Sequence, residues 1–236
     1  NGIVLACFIF GRNILRSTDN GANWTDLGQQ TTQHFVRLKY AGNGIVLATC
    51  GSSEGHILRS DDYGATWSDI GQLGSNIFTT GLEYLGNGIC LAGSSVSGEL
   101  YRSIDYGLTW SLLAYNFGAN DLRGIKYIGN GICLLGTIGT GHIYRSTDYG
   151  VNWVDLGTLS GETYVWDFAY LGGGVVLVGT AQKAHIGISI DYCLTWTDLG
   201  AMYSEVDVYK FAYLGDGICV AGTGGGGKIL RSSEWK

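Results

Sequence analysis

The chain has 236 residues, 45% of them hydrophobic and 14% charged; that is long enough to bury a sizeable core and too apolar for a disordered segment. Its net charge of −6, with only 14 Lys and Arg, excludes a general attraction to nucleic acid or anionic membrane, which needs clustered basic side chains. No apolar run reaches the ~18 residues of a membrane-spanning helix, because glycine interrupts every candidate, so membrane insertion is not expected.

Glycine is abundant, at 40 residues, and proline is absent. With many Tyr, Trp, Thr, Val and Ile, this composition predicts short strands joined by tight turns. The first element in the chain is the strand in "NGIVLA". The start at Asn1, without Met or a basic leader, leaves a removed signal and a trimmed start equally open. A turn sequence follows, "STDNGANW" from Ser17, and its serine recurs at Ser60, Ser103, Ser146, Ser189 and Ser232, each 43 residues after the last. The opening strand recurs in step with it, as "GNGIVLA" from Gly42, "GNGICLA" from Gly86, "GNGICLL" from Gly129, "GGGVVLV" from Gly172 and "GDGICVA" from Gly215.

One unit, residues 35–71, shows the elements in order. "FVRLKYA" alternates loosely and ends in a Gly-Asn-Gly turn, a strong hairpin signal. "GIVLATC" is the second strand, "HILRS" the third after a variable loop, and "ATWSDIG" the fourth after the Asp-containing turn. Four antiparallel strands in a unit of this length predict an all-β fold, a β-propeller of four-stranded blades. No stretch sustains a helical period. The expected organisation is a single propeller domain over 1–236. It has a partial blade at 1–28, full blades at 29–71, 72–114, 115–157 and 158–200, and a partial blade at 201–236. Six blades is the preferred count, with five as the alternative. The unclosed seam leaves strand edges that another copy could pair, which motivates an expected homo-oligomer.

The repeated Ser-x-Asp-x-Gly-x-x-Trp, carried on such units as "STDNGANW", "SDDYGATW", "SIDYGLTW", "STDYGVNW" and "SIDYCLTW", resembles the Asp-box (bacterial neuraminidase repeat) propellers. The fifth copy has Cys193 in place of Gly, and "SSEWK" begins a sixth. The resemblance spans essentially the whole chain and implies the fold. It is less specific for function, because the family includes sialidases, other glycosidases, sorting receptors, photosystem assembly factors and viral structural parts.

The box residues Asp19, Asp62, Asp105, Asp148 and Asp191, with Trp24, Trp67, Trp110, Trp153 and Trp196, read as structural. The Asp accepts backbone N–H bonds across the turn, the Gly supplies a positive φ, and the Trp packs beneath. A calcium loop would need more alternating oxygen ligands and a distal Glu. Repetition argues the same way, since a catalytic residue is needed once. Arg16, Arg59, Arg102, Arg145 and Arg231 share one phase, and Asp26, Asp69, Asp155 and Asp198 another; ion pairing between them is the expectation. His56, His142 and His185 share a third phase, spread too widely for a metal site. Cys90, Cys133 and Cys219 fall on a buried strand phase and are expected to be free thiols, with Cys7 and Cys50 the one pair close enough in phase to check.

The loops between units and between second and third strands vary most, and variable loops on a rigid frame are where recognition resides. Trp166 interrupts a phase otherwise held by Val36, Thr80, Arg123 and Tyr209 at the start of the first strands. An aromatic face beside polar groups suits a sugar, so Trp166, Tyr209, Arg123, Arg37, Asp167, Tyr115, Asn116 and Tyr203 are the ligand-site candidates; filling of an axial channel is the competing account. Sialidase-like activity, which the family resemblance invites, implies an Arg triad, a Tyr nucleophile with a Glu, an Asp acid and an Arg-Ile-Pro element. There is no Pro, and Arg12, Arg37 and Arg123 match no family position. No carboxylate pair is legible among Glu83, Asp121, Glu162, Asp167, Glu205 and Asp207, so no catalytic residue is assigned and no cofactor or metal is expected. The preferred reading is a non-catalytic, lectin-like propeller with a glycan partner. The alternatives are a self-assembling viral or surface component and a sialidase-like hydrolase. Extracellular or virion-associated residence goes with these readings, although no residue names a compartment.

Overall fold

A computed structural model of the chain describes residues 2–8, 12–51, 54–74, 78–113, 116–202 and 205–232. The described residues contain 22 β-strands and no α-helix. The chain divides into two compact units, Asn1–Tyr115 and Asn116–Lys236.

In the first unit, β1 (Val4–Cys7), β2 (Asn13–Ser17) and β3 (Thr25–Gln29) form a three-stranded antiparallel sheet. The next sheet is a four-stranded meander of β4 (Phe35–Gly42), β5 (Ile45–Cys50), β6 (His56–Ser60) and β7 (Ser68–Gln72). A third meander runs through β8 (Phe78–Gly86), β9 (Ile89–Ser95), β10 (Leu100–Ser103) and β11 (Ser111–Leu113). The core lies between successive sheets: Ile14 of β2 packs with Phe35, Ala48 and Leu58 of the second, and Leu47 and Ile57 of the second pack with Cys90, Ala92 and Tyr101 of the third.

The second unit repeats the plan. Its first sheet is β12 (Asp121–Gly129), β13 (Ile132–Ile138), β14 (His142–Ser146) and β15 (Val154–Thr158). Its second is β16 (Tyr164–Gly172), β17 (Val175–Ala181), β18 (His185–Ser189) and β19 (Thr197–Ala201). Its third is β20 (Val208–Gly215), β21 (Ile218–Thr223) and β22 (Ile229–Arg231). Single bridges, Ile138 to Tyr164 and Ala181 to Asp207, tie each sheet to the next.

The first hairpin of a sheet turns through Asn43 and Gly44, both at positive φ (52° and 81°), as the twist of the flanking strands requires. Every first strand also carries a β-bulge the alternation did not reveal. One register shift in each falls at Val36, Thr80, Arg123, Trp166 and Tyr209, and a second follows the strand's Tyr; a bulge re-aims the side chain it carries.

The Arg and Asp phases do not pair with each other. Asp69 stands opposite Leu58 while Arg59 stands opposite Ser68, so the two side chains leave opposite faces of the sheet. The aspartates instead bond the His or Asn of the same face. His56 Nδ1 lies 2.8 Å from Asp69, His142 Nδ1 2.7 Å from Asp155 and His185 Nδ1 2.8 Å from Asp198, and Asn13 donates to Asp26 at 2.9 Å. The arginines reach the next sheet: Nε of Arg16, Arg59 and Arg145 donates to the carbonyls of Tyr63, Tyr106 and Tyr192 at 3.0, 3.2 and 2.8 Å. None of the six cysteines is in a disulfide. Burial pushes the Cys50, Cys90 and Cys193 thiols up to about 12.

Candidate functional site

The repeated box is a self-contained hydrogen-bonded turn. In the fourth copy, the Ser146 hydroxyl donates to Asp148 Oδ1 at 2.8 Å and accepts the Gly150 N–H at 2.9 Å. Asp148 Oδ1 also accepts the N–H groups of Val151 and Asn152, and Oδ2 accepts the Asn152 amide at 2.7 Å. The Trp153 indole N–H then reaches back to the Gly150 carbonyl at 3.1 Å. The turn is tied to the first hairpin by a bond from the Tyr149 N–H to the Gly131 carbonyl at 2.9 Å. Two successive residues, Tyr149 and Gly150, hold positive φ (58° and 80°). In the fifth copy Cys193 takes that conformation at 65°, and the buried Trp196 Nε1 has no hydrogen-bond partner.

These aspartates spend their lone pairs on donors, so the ionised form is favoured. Thr195 hydroxyl and amide bonds hold Asp191 at about 2 against 3.8. At Asp62 burial works upward but is outweighed by the bonds from Thr66 and Ser60, again leaving it at about 2. A lowered folded-state pKa stabilises above the unfolded value and is lost as pH falls through the folded one. Acid unfolding followed by tryptophan fluorescence is therefore expected to have its steep region between pH 3.8 and about 2. An Asp62→Asn, Asp191→Asn double variant should be less stable at neutral pH and respond less to acid over that window; an unchanged acid response would contradict the assignment.

The unrepeated residues of the second unit converge in part. Trp166, carried on its bulge, has the Arg123 guanidinium over its ring at 4.7 Å. Tyr209 meets it edge-on at 5.0 Å, and Tyr164 stacks nearly parallel at 6.4 Å. Arg123 is held by Asp121 at 2.7 Å. The Trp166 indole N–H is buried with no hydrogen-bond partner. Tyr164 and Trp166 wall a 170 Å³ pocket with Gln182, Val206 and Asp207. It lies at the bridge between Ala181 and Asp207 that joins the two sheets.

The other candidates lie elsewhere. Asp167 bonds Lys210 at 2.7 Å and the Phe211 N–H at 2.9 Å, in a separate 160 Å³ pocket with Lys126. Arg37, in the first unit, donates to the Thr80 carbonyl at 3.1 Å. Asn116 caps the Gly118 N–H at 2.9 Å. Tyr115 and Tyr203 lie outside the described residues. Tyr164, Ala181, Gln182 and Val206 are pocket residues the sequence reading did not single out, and Asp207 was named there only among the available carboxylates. Tyr164 lies two positions before Trp166 on the same strand, and that spacing was the available signal.

The nearby carboxylates are engaged. Glu162 accepts from Lys183 N–H, Glu205 from Thr223 at 2.7 Å and Lys228 at 3.0 Å, and Asp207 bonds the Tyr209 hydroxyl and so raises its pKa.

Sheets and turns of this kind define a β-propeller-like, all-β protein. The family model described as BNR-Asp box repeat matches residues 143–156, the segment holding Ser146, Asp148, Gly150 and Trp153, in line with the resemblance to the Asp-box repeat. No curated protein matches it in sequence. Among solved structures, YCF48 bound to a D1 peptide superposes with a TM-score of 0.71 at 21% identity, over 93% of this chain and 72% of that one. A streptogramin B lyase gives 0.80 at 14%, over 97% and 78%. A catalytically inactive virginiamycin B lyase from Staphylococcus aureus with quinupristin gives 0.80 at 12%, over 93% and 73%. At these identities the likeness establishes the fold alone.

Proposed function

We propose that the chain is a non-catalytic binding propeller whose ligand is a carbohydrate taken at the Tyr164–Trp166 pocket. The observation that carries this reading is the pocket itself: two aromatic walls with Gln182 and Asp207 beside them in 170 Å³. Aromatic rings stack on the apolar face of a sugar while the polar groups bond its hydroxyls. The Trp166 indole N–H is buried, so the ring face is what this wall offers a ligand. The engagement of Asp167, Glu162 and Glu205 by Lys210, Lys183 and Lys228 favours binding over hydrolysis, because glycosidase chemistry needs two carboxyl groups facing the substrate. Among the described residues, four runs of four consecutive strands and two runs of three suit six blades better than five. A glycan array with the intact chain should return binding to a restricted set of sugars, and silence across the array would sink the carbohydrate reading.

A peptide ligand is the second reading, favoured by the D1 peptide in the superposable YCF48. Self-association is favoured by exposed apolar side chains on the box turns, Ile104, Leu108, Ile190 and Leu194; a monomer by light scattering at high concentration would count against it.

A further inference from the structure

In the second unit, three rings fill the place beside the first sheet. Phe117 meets Tyr144 edge-on at 5.0 Å and Trp153 at 5.9 Å, and all three side chains are buried. One repeat further on, the same places hold Ser160, Gly187 and Trp196, so two of the three rings are missing between the first sheet and the second. A Cβ at Gly187 would stand 2.8 and 3.0 Å from the Leu159 methyls; Leu159 therefore takes up part of the space. The remainder is a 320 Å³ pocket lined by Leu156, Leu159, Ser160, Leu194, Thr195 and Trp196, with Asp198 beside them. Both bordering sheets have their four strands, so the pocket comes from side chains and not from a missing strand. Trp196 also departs from its repeat. The indole N–H of Trp24, Trp67, Trp110 and Trp153 donates to the carbonyl of the box glycine, and that of Trp196 does not.

Two hydroxyls of this pocket have committed their hydrogens. Ser160 donates to Asp198, and Thr195 donates to Asp191 at 2.6 Å. A hydroxyl that gives its hydrogen to a carboxylate presents only lone pairs elsewhere. The carboxylates behind them are ionised: bonds from Thr195 hold Asp191 at about 2, and at Asp198 burial works upward but is outweighed by bonds from Ser160, the Gly200 N–H and His185. Among the described residues, the lining holds no Lys, Arg or His. We propose that the pocket binds a primary ammonium group on a short alkyl stem, with the ammonium on the Ser160 and Thr195 oxygens and the stem against Leu156, Leu159 and Trp196. An ammonium is donor-only, which matches an acceptor lining, and its charge is favoured by two carboxylates and by an indole ring. An anion is refused on the same grounds. The stem may be supplied by a free alkylamine or by a lysine side chain, which share this chemistry. The proposal does not use the Tyr164–Trp166 pocket and stands or falls independently of the ligand taken there.

The test titrates n-butylammonium chloride and Nα-acetyl-lysine methylamide into the intact chain and follows the leucine methyl signals by NMR. Saturable shifts are expected at Leu156, Leu159 and Leu194, with a Kd in about the millimolar range. The uncharged n-butanol, with the same stem, should bind about tenfold more weakly or worse. Tighter binding of the lysine derivative assigns the site to a side chain of a partner, and tighter binding of butylammonium assigns it to a free amine. Ser160→Ala should weaken the amine by about tenfold, one charge-assisted hydrogen bond. Leu194→Lys, at an exposed position where folding is not at stake, sets a cation at the pocket mouth and should weaken it at least as much. No saturable shift up to about 100 mM amine, equal affinity for butanol and butylammonium, or full affinity in the Leu194→Lys variant would each overturn the proposal.

Discussion

Gly107→Ala is expected to lower the unfolding free energy by about 3 kcal/mol. Two costs combine at this box glycine. Its φ is 76°, a left-handed conformation that a residue with a Cβ adopts at about 1–2 kcal/mol. The added carbon would also stand 2.6 and 2.7 Å from the two methyls of Leu47, a fully buried residue of the core between the second and third sheets. Overpacking of that kind costs about 1–3 kcal/mol. Urea unfolding with an unchanged slope would show the loss as a lower midpoint. The natural contrast is Cys193, which occupies the same place in the fifth box at φ 65° with its side chain fully buried. Cys193→Gly should be nearly neutral, within about 1 kcal/mol, because relief of the left-handed backbone is offset by the apolar burial lost with the thiol. A Gly107→Ala variant as stable as the parent would show that the box glycine is not required by backbone geometry and packing.

Trp166→Ala should weaken binding of the proposed sugar ligand by about a hundredfold or more, the size of effect expected when an aromatic anchor is removed, while leaving the box turns and their acid response in place. The indole is the meeting point of three groups, Arg123, Tyr209 and Tyr164, so its removal opens the pocket wall and releases the guanidinium that lies on it. Fold stability should fall by about 2 kcal/mol, less than the 3–5 kcal/mol of a core Trp, since the side chain is only part-buried. Trp166→Phe separates the two contributions. It keeps an aromatic wall of smaller area and removes a buried donor that has no partner, so binding should drop by about tenfold at most while fold stability changes little. Calorimetric titration of the array-selected sugar into the three proteins measures the series. Equal affinities would remove this pocket from consideration.

Much of the architecture was readable because the repeat states each local rule several times. The recurring Asn-Gly turn, the box Ser, Asp and Gly, and the strands between them depend on contacts within a few residues, and those are written along the chain. Where two phases have to meet across strands, periodicity alone misled. Arg59 and Asp69 recur in step, yet the two-residue period of a strand sends them to opposite faces, and the Asp finds His56 instead. The bulge at Trp166 was likewise invisible as a bulge, since an unpaired residue shows only in the ladder beside it.

Of the eight ligand-site candidates, Trp166, Tyr209 and Arg123 come together. Asp167, next in sequence, turns to Lys210 in another pocket, and Asn116 closes its own turn. Sequence by itself determined the unit, its strands, its two tight turns and the structural character of the box, all of which rest on local backbone preference and short-range hydrogen bonds. Only the tertiary structure decided which unrepeated side chains share a pocket, and which partner each repeated Asp takes. Both depend on what lies across from a residue on a neighbouring strand or sheet, and that opposition is set by register and bulges between segments tens of residues apart.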